Sequence, residues 1–184
     1  MARNWWKTGG GPDLGRLLFN GRYAIACEWA RGSVVDAACG YGLGTWMLGR
    51  TCDQALGLDR DAKGIEAAQR YNTSSRVRFE AADITTYDYP ECDWVVSLET
   101  LEHIPDRDAL LAKFKEAARV GLVLSVPIVP DLTRSKGNFH NTTPAEMDGW
   151  FKGRGWARMF DGRHQDLWHG IDQEVYKVGV WTRR

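Results

Sequence analysis

Two hydrophobic rhythms alternate along the chain. Short apolar runs of strand length occupy 34–38, 54–58, 76–80, 93–98 and 121–126, and between them apolar residues return every three or four positions. Runs of four to eight apolar residues between turn signals read as strands covered on both faces, and the three-to-four spacing reads as helix. The spacing predicts a helix over 62–71, with Ile65, Ala68 and Gln69 along it and Asp61 as its cap. It predicts another over 106–120, with Pro105 at the first turn and Leu110, Leu111, Phe114 and Ala118 on one face. Residues 13–30 carry helical spacing interrupted by Asn20-Gly21. Regular alternation of strand and helix predicts a parallel sheet with helices on both sides. Toward the end the pattern changes: a helix over 144–153, capped by Thr142 or Thr143 with Met147, Trp150 and Phe151 inward, then alternating strands at 156–160 and 175–180.

The first strand runs into Cys39-Gly40-Tyr41-Gly42-Leu43-Gly44-Thr45. Strand, glycine turn and helix start form the entry to a nucleotide-type site, because glycines allow unusual backbone angles and let a ligand approach the main chain. Helix N-H groups beyond the turn favour a polar ligand. A dinucleotide fingerprint would place its third glycine one residue later, and Asp36 inside the strand would oppose a pyrophosphate while welcoming an ammonium. The second strand ends at Asp59-Arg60, 19 residues after Gly40, where a carboxylate can accept ribose hydroxyls. The third leads into Asp83-Ile84, and the fourth carries Ser97.

Residues 36–45 resemble motif I of the class I S-adenosylmethionine-dependent methyltransferases, and 81–84 resembles the segment whose Asp binds the adenine amino group while its apolar neighbour packs on the ring. Over roughly 20–182 the chain resembles the small ubiquinone-pathway (UbiG-like) and methyltransferase type 11 enzymes. The resemblance implies an α/β, Rossmann-like, doubly wound seven-stranded sheet, mostly parallel and closed by an antiparallel C-terminal strand. It implies a cofactor set of Asp36, Gly40, Gly42, Gly44, Asp59, Arg60, Asp83, Ile84 and Ser97. Arg22-Tyr23 resembles an Arg-Tyr pair that precedes motif I in related enzymes; Arg22 meets the cofactor carboxylate or lies on the surface.

Beyond the fourth strand stands Glu99-Thr100-Leu101-Glu102-His103-Ile104-Pro105. On a helical turn positions i, i+3 and i+4 share a face, which would bring Glu99, Glu102 and His103 together. Two carboxylates and an imidazole suit a divalent ion, Mg, Mn or Zn, and this run resembles that of metal-dependent O-methyltransferases, in which a later histidine, here His140, completes the set. Such an ion would acidify a hydroxyl, hence an expectation of O-methylation on a small molecule or sugar. In the metal-free alternative His140 and His103 are the candidate catalytic bases; in a third, these residues only cap and line the turn.

The chain has 184 residues, enough for one domain with a continuous core: an arm over 1–12, a helical cap over 13–32 and a core from 33 on. Lys+Arg 24 against Asp+Glu 24 gives formal net charge zero, which disfavours nucleic acid or an anionic membrane as partner. Local basic residues, Arg134, Lys136, Arg154, Arg158 and Arg163, leave an anionic acceptor open, in a pocket walled by the arm, 127–141 and 161–172 with His164, Trp168 and His169. Four cysteines without C-x-x-C spacing, no signal-like start and no apolar run of spanning length point to the cytoplasm. The alternatives are an RNA 2'-O-methyltransferase, a non-catalytic cofactor-binding partner subunit and a nicotinamide dehydrogenase.

Overall fold

A computed structural model describes the backbone of residues 14–128, 138–152, 155–165 and 174–184. In chain order the elements are α1 (Leu14–Trp29), β1 (Ser33–Ala37), α2 (Leu43–Leu48), β2 (Gln54–Asp59), α3 (Ala62–Tyr71), β3 (Val77–Ala81), β4 (Cys92–Leu98), a 3-10 turn (Leu101–His103), α4 (Arg107–Ala117), β5 (Ala118–Pro127), α5 (Pro144–Gly149), β6 (Trp156–Gln165) and β7 (Glu174–Arg183). The strands form one sheet in the order β3-β2-β1-β4-β5-β7-β6. β1 to β5 pair in parallel, and β7 runs antiparallel between β5 and β6. The predicted seven-stranded, mostly parallel sheet with an antiparallel C-terminal strand is the observed one.

The chain winds outward from β1 in both directions, so a crevice opens at the carboxyl ends of β1 and β4, where open α/β sheets take ligands. Two cores cover the two faces. On one, Leu110, Leu111 and Phe114 of α4 and Met147 of α5 pack with Val35, Val95 and Leu124. On the other, Tyr23 and Ala26 of α1, Leu48 of α2 and Ile65 and Ala68 of α3 pack with Val34, Val96 and Val180.

The caps follow the sequence. Asp61 accepts from the Lys63 N-H at 3.1 Å, Asp106 from Ala109 at 3.1 Å, and Thr143 with Glu146 forms a capping box. The last two strands run longer than expected, to Gln165 and Arg183, and three helix boundaries differ. α1 is continuous through Asn20-Gly21, since packing of its Tyr23 face against α2 outweighs the roughly 1 kcal/mol that an interior glycine costs. α4 stops at Ala117, because Ala118 enters the ladder opposite Cys92. α5 is one short helix ending at Gly149, followed by a turn. Lys177, fully buried in β7, bonds Asp148 of α5 at 2.5 Å and ties the tail strands to the helix layer. Among the described residues no helix is long and apolar enough to cross a membrane.

Candidate functional site

The glycine turn begins with Ala38 at φ 66°, continues through Gly40 at φ 56° and Gly42 at φ 79°, and opens α2. The three glycines answer three different demands. A β-carbon on Gly40 would meet nothing within 4 Å, so this residue faces open space. One on Gly42 would strike Phe79 at 2.5 Å, and one on Gly44 the Tyr23 ring at 1.9 Å. Smallness at Gly42 and Gly44 lets β3 and α1 close on α2, whereas at Gly40 there is room for a ligand.

Asp36 corrects a second expectation. Its carboxylate is wholly buried beneath the turn, accepting from the Tyr23 hydroxyl at 3.0 and 3.2 Å and from Thr45 Oγ1 at 2.6 Å. It holds α1, β1 and α2 together. Burial pushes its pKa up to about 7, against the pull of the two hydroxyl bonds. Burial and the neighbouring Asp36 keep the Tyr23 phenol well above its usual range, so it stays a donor. Nothing in the apolar spacing of α1 distinguishes Tyr23 from an ordinary core aromatic.

The acids at the next two strand ends do face a cavity. A cleft of about 410 Å³ is lined by Ala38, Asp59, Arg60, Asp83, Ile84 and Thr85 at one end and by Glu99, Thr100, His103, Ile104 and Pro105 at the other. Asp59 Oδ2 accepts the Gly40 N-H at 2.8 Å and its Oδ1 the Asp61 N-H at 2.9 Å, which fixes the carboxylate and leaves a lone pair on each oxygen. Thr85 gives both its N-H and its hydroxyl to Asp83 Oδ1, at 2.8 and 2.7 Å, and these bonds hold the carboxyl below its usual pKa. Ile84 is buried beside it. Ser97 differs from expectation: fully buried, its hydroxyl donates to the Ala37 carbonyl at 3.2 Å and joins β4 to β1.

The proposed metal set does not assemble. The turn after β4 is 3-10, not α, and Glu99 precedes it at φ 52° with its N-H on Ser125 and its Oε1 accepting the Ser125 hydroxyl at 2.7 Å. Glu102 turns inward, its side chain 4% exposed, while that of His103 is 47% exposed; Oε1 and Nε2 lie 3.7 Å apart. His140 donates Nε2 to the carbonyls of Ile104 and Pro105, at 2.8 and 3.2 Å. That leaves Nδ1 as the lone-pair nitrogen of the ring. Among the described residues no three of the His, Cys, Asp and Glu side chains gather closely enough to hold an ion.

A cation is nevertheless present. Arg22 is 7% exposed, stacks at 4.7 Å over the Tyr176 ring and acts electrostatically on both Glu99 and Glu102. Arg22 Nε and Nη1 and Glu102 Oε2 are buried without a hydrogen-bond partner among the described residues. Burial raises both carboxyl pKa values, and the guanidinium opposes the rise. A second cavity, about 350 Å³ and walled by Tyr41, Leu43, Trp46, Tyr71 and Phe79, lies across α2 and has no acid in its wall. The arm over 1–12, Arg134, Lys136, Arg154, Trp168 and His169, and the side chains of Arg163 and His164, lie outside the described residues. Arg158 is paired with Asp148 and Asp161.

Comparison with known protein families matches residues 34–121 to a family described as methyltransferase domain. The matched span runs from β1 into β5 and holds both ends of the cleft. Over 128 residues, 67% of this chain, it is 32% identical to phosphoethanolamine N-methyltransferase 1 of Triticum aestivum. Over 134 residues it is 22% identical to the ubiquinone biosynthesis O-methyltransferase of Pasteurella multocida, covering 63% of this chain and 55% of that protein. The match takes up only 24% of the wheat protein's length. Among solved structures, a magnesium protoporphyrin IX methyltransferase from Synechocystis PCC 6803 with bound SAH superimposes with a TM-score of 0.78 at 17% identity, covering 96% of this chain and 90% of that one. The fold is that of the class I S-adenosylmethionine-dependent methyltransferases.

Proposed function

We propose that this chain transfers a methyl group from S-adenosylmethionine to a small-molecule acceptor in the cytoplasm. The observation that carries the reading is the fixed Asp59 carboxylate, bonded to the Gly40 N-H and sharing one cleft with Asp83 and Ile84. Asp59 takes the ribose hydroxyls, Asp83 the adenine amino group, and Ile84 the ring face. Arg22, with two unfilled donors, takes the methionine carboxylate. Bound there, S-adenosylmethionine supplies an electrophilic methyl carbon on a sulfonium, and the residues beyond β4 must align the acceptor and accept its proton.

The bonds from His140 Nε2 to the carbonyls of Ile104 and Pro105 argue against an ion at this place, and with it against an ion-assisted hydroxyl acceptor. With the ligand set dispersed, an ion-assisted attack by a poor nucleophile has no support in the cleft. An amine needs only a proton acceptor, and the N-methyltransferase names of the wheat relative and its kind support that acceptor class. The four cysteines, all reduced and three of them buried, fit a reducing compartment. Calorimetric titration with S-adenosylhomocysteine and with NAD tests the reading: micromolar binding of the first and none of the second is expected, and tighter binding of NAD would overturn it.

A further inference from the structure

The cavity across α2 differs from the cleft in its chemistry. At about 350 Å³ it has the size of a small-molecule site. Its wall holds four aromatic rings, Tyr41, Trp46, Tyr71 and Phe79, with Leu43 and Ala68, and no side chain that is charged near neutral pH. Trp46 stands on α2, Tyr71 on α3 and Phe79 on β3, so three regular elements fix the rings. Asn72, the one amide in the wall, is spent on its own loop: Nδ2 donates to the Ser74 and Val77 carbonyls at 3.2 and 3.0 Å, and Oδ1 accepts the Ser74 N-H at 3.1 Å. Two large apolar side chains that the described surface leaves exposed, Trp46 at 42% and Tyr71 at 61%, meet in this one wall. Single exposed apolar residues are ordinary, whereas two rings over a preformed apolar hollow mark a binding surface.

We propose that this cavity is a second ligand seat, for an uncharged, planar, largely apolar ring compound. No residue lines both the cavity and the cleft, so its occupant is distinct from the cofactor and from the methyl acceptor. An ion of either sign would leave water for a wall that offers no countercharge. A cation is opposed further, because the Arg50 guanidinium already lies 5.7 Å from the centre of the Trp46 ring as its cation-π partner. A flat ring suits the wall best: it meets the four aromatic side chains by stacking or by edge-to-face contact, and it has little conformational freedom to lose.

The test uses the whole chain, with and without S-adenosylhomocysteine, and three probes, indole, tetramethylammonium and benzoate, with binding followed by NMR. Indole should bind with a Kd below about 1 mM and about tenfold or more tightly than either ion. It should stay bound when S-adenosylhomocysteine is added in excess. Trp46→Ala and Tyr71→Ala remove exposed rings and leave the core intact; each should weaken indole by about threefold or more. No indole binding, an ion bound as tightly as indole, displacement of indole by S-adenosylhomocysteine, or an affinity that survives both variants would overturn the proposal. So would indole binding that appears only in the chain carrying Trp5→Ala and Trp6→Ala, which would give the cavity to the protein's own arm. Binding that appears only on dilution of a dimer would give it to a second copy and overturn the proposal as well. Failure of S-adenosylhomocysteine to bind would count against the cofactor reading alone, since the indole measurements stand without it.

Discussion

At the β2 and β3 end of the cleft each carboxylate is already held by its own neighbourhood: Asp59 by the N-H groups of Gly40 and Asp61, Asp83 by Thr85. At the β4 and β5 end, Glu102 Oε2 and two donor atoms of Arg22 are buried without a partner among the described residues. The first end is rigid before a ligand arrives, and what binds there meets finished geometry. The second holds an unfilled acceptor and two unfilled donors among the described residues, and a ligand there can bring the missing partners. A methyl-transfer site divided in this way has a fixed seat for the part of the reaction shared by all its relatives and an open one for the part that varies.

The largest expected effects fall on the shared framework. Gly44→Ala places a carbon 1.9 Å from the Tyr23 ring and Gly42→Val strikes Phe79 and Ala68, so each should destabilise the chain by about 3 kcal/mol, visible as loss of the cooperative thermal transition. Gly40→Ala should cost only about 1 kcal/mol for its left-handed backbone, yet weaken S-adenosylhomocysteine by tenfold or more. If Gly40→Ala unfolds the chain and Gly42→Val does not, the division of roles among the glycines is wrong.

Next in size is Asp59→Ala, which removes a charge-assisted acceptor and should cost about 2 kcal/mol of cofactor binding, roughly 30-fold, by calorimetry. An unchanged affinity would mean that Asp59 is not the ribose acceptor.

The two ends were not equally legible in the sequence. Asp59, Asp83 and Ile84 could be located because each lies at or just past a strand end, and parallel strands deliver their carboxyl ends to one crevice. Asp36 could be located but not oriented: which way a strand residue faces depends on Tyr23, a helix residue that arrives from outside the motif. The turn from Glu99 to His103 misled for a related reason. Helical spacing assumes one continuous turn, whereas Glu99 stands ahead of a 3-10 turn in a left-handed conformation, with its N-H and carboxylate on Ser125 of the neighbouring strand. Arg22 comes from α1, and no local spacing ties it to the carboxylates it faces.

A smaller effect sharpens the role of Asp36. Its folded pKa of about 7 lies above the unfolded value of 3.8, so the folded state holds the proton more tightly. The resulting stability is complete below about pH 4 and is lost as pH rises through 7, amounting to at most about 4 kcal/mol. Asp36→Asn lacks that titration. Its melting temperature relative to wild type should climb between pH 5 and pH 8, and parallel pH profiles would show that the carboxylate is not sealed. The smallest expected effect is none: Mg2+, Mn2+ or Zn2+ added to chelator-treated protein should leave both melting temperature and S-adenosylhomocysteine affinity unchanged, and a rise in either would restore the metal set at Glu99, Glu102, His103 and His140.

A crystal structure of the chain with S-adenosylhomocysteine tests the divided cleft most directly. It should place the ribose on Asp59, the adenine between Asp83 and Ile84 and the methionine carboxylate on Arg22, with Glu102 Oε2 still unfilled by the ligand. An adenine seated instead in the apolar cavity between Tyr41, Trp46 and Phe79, or a ligand carboxylate far from Arg22, would contradict it.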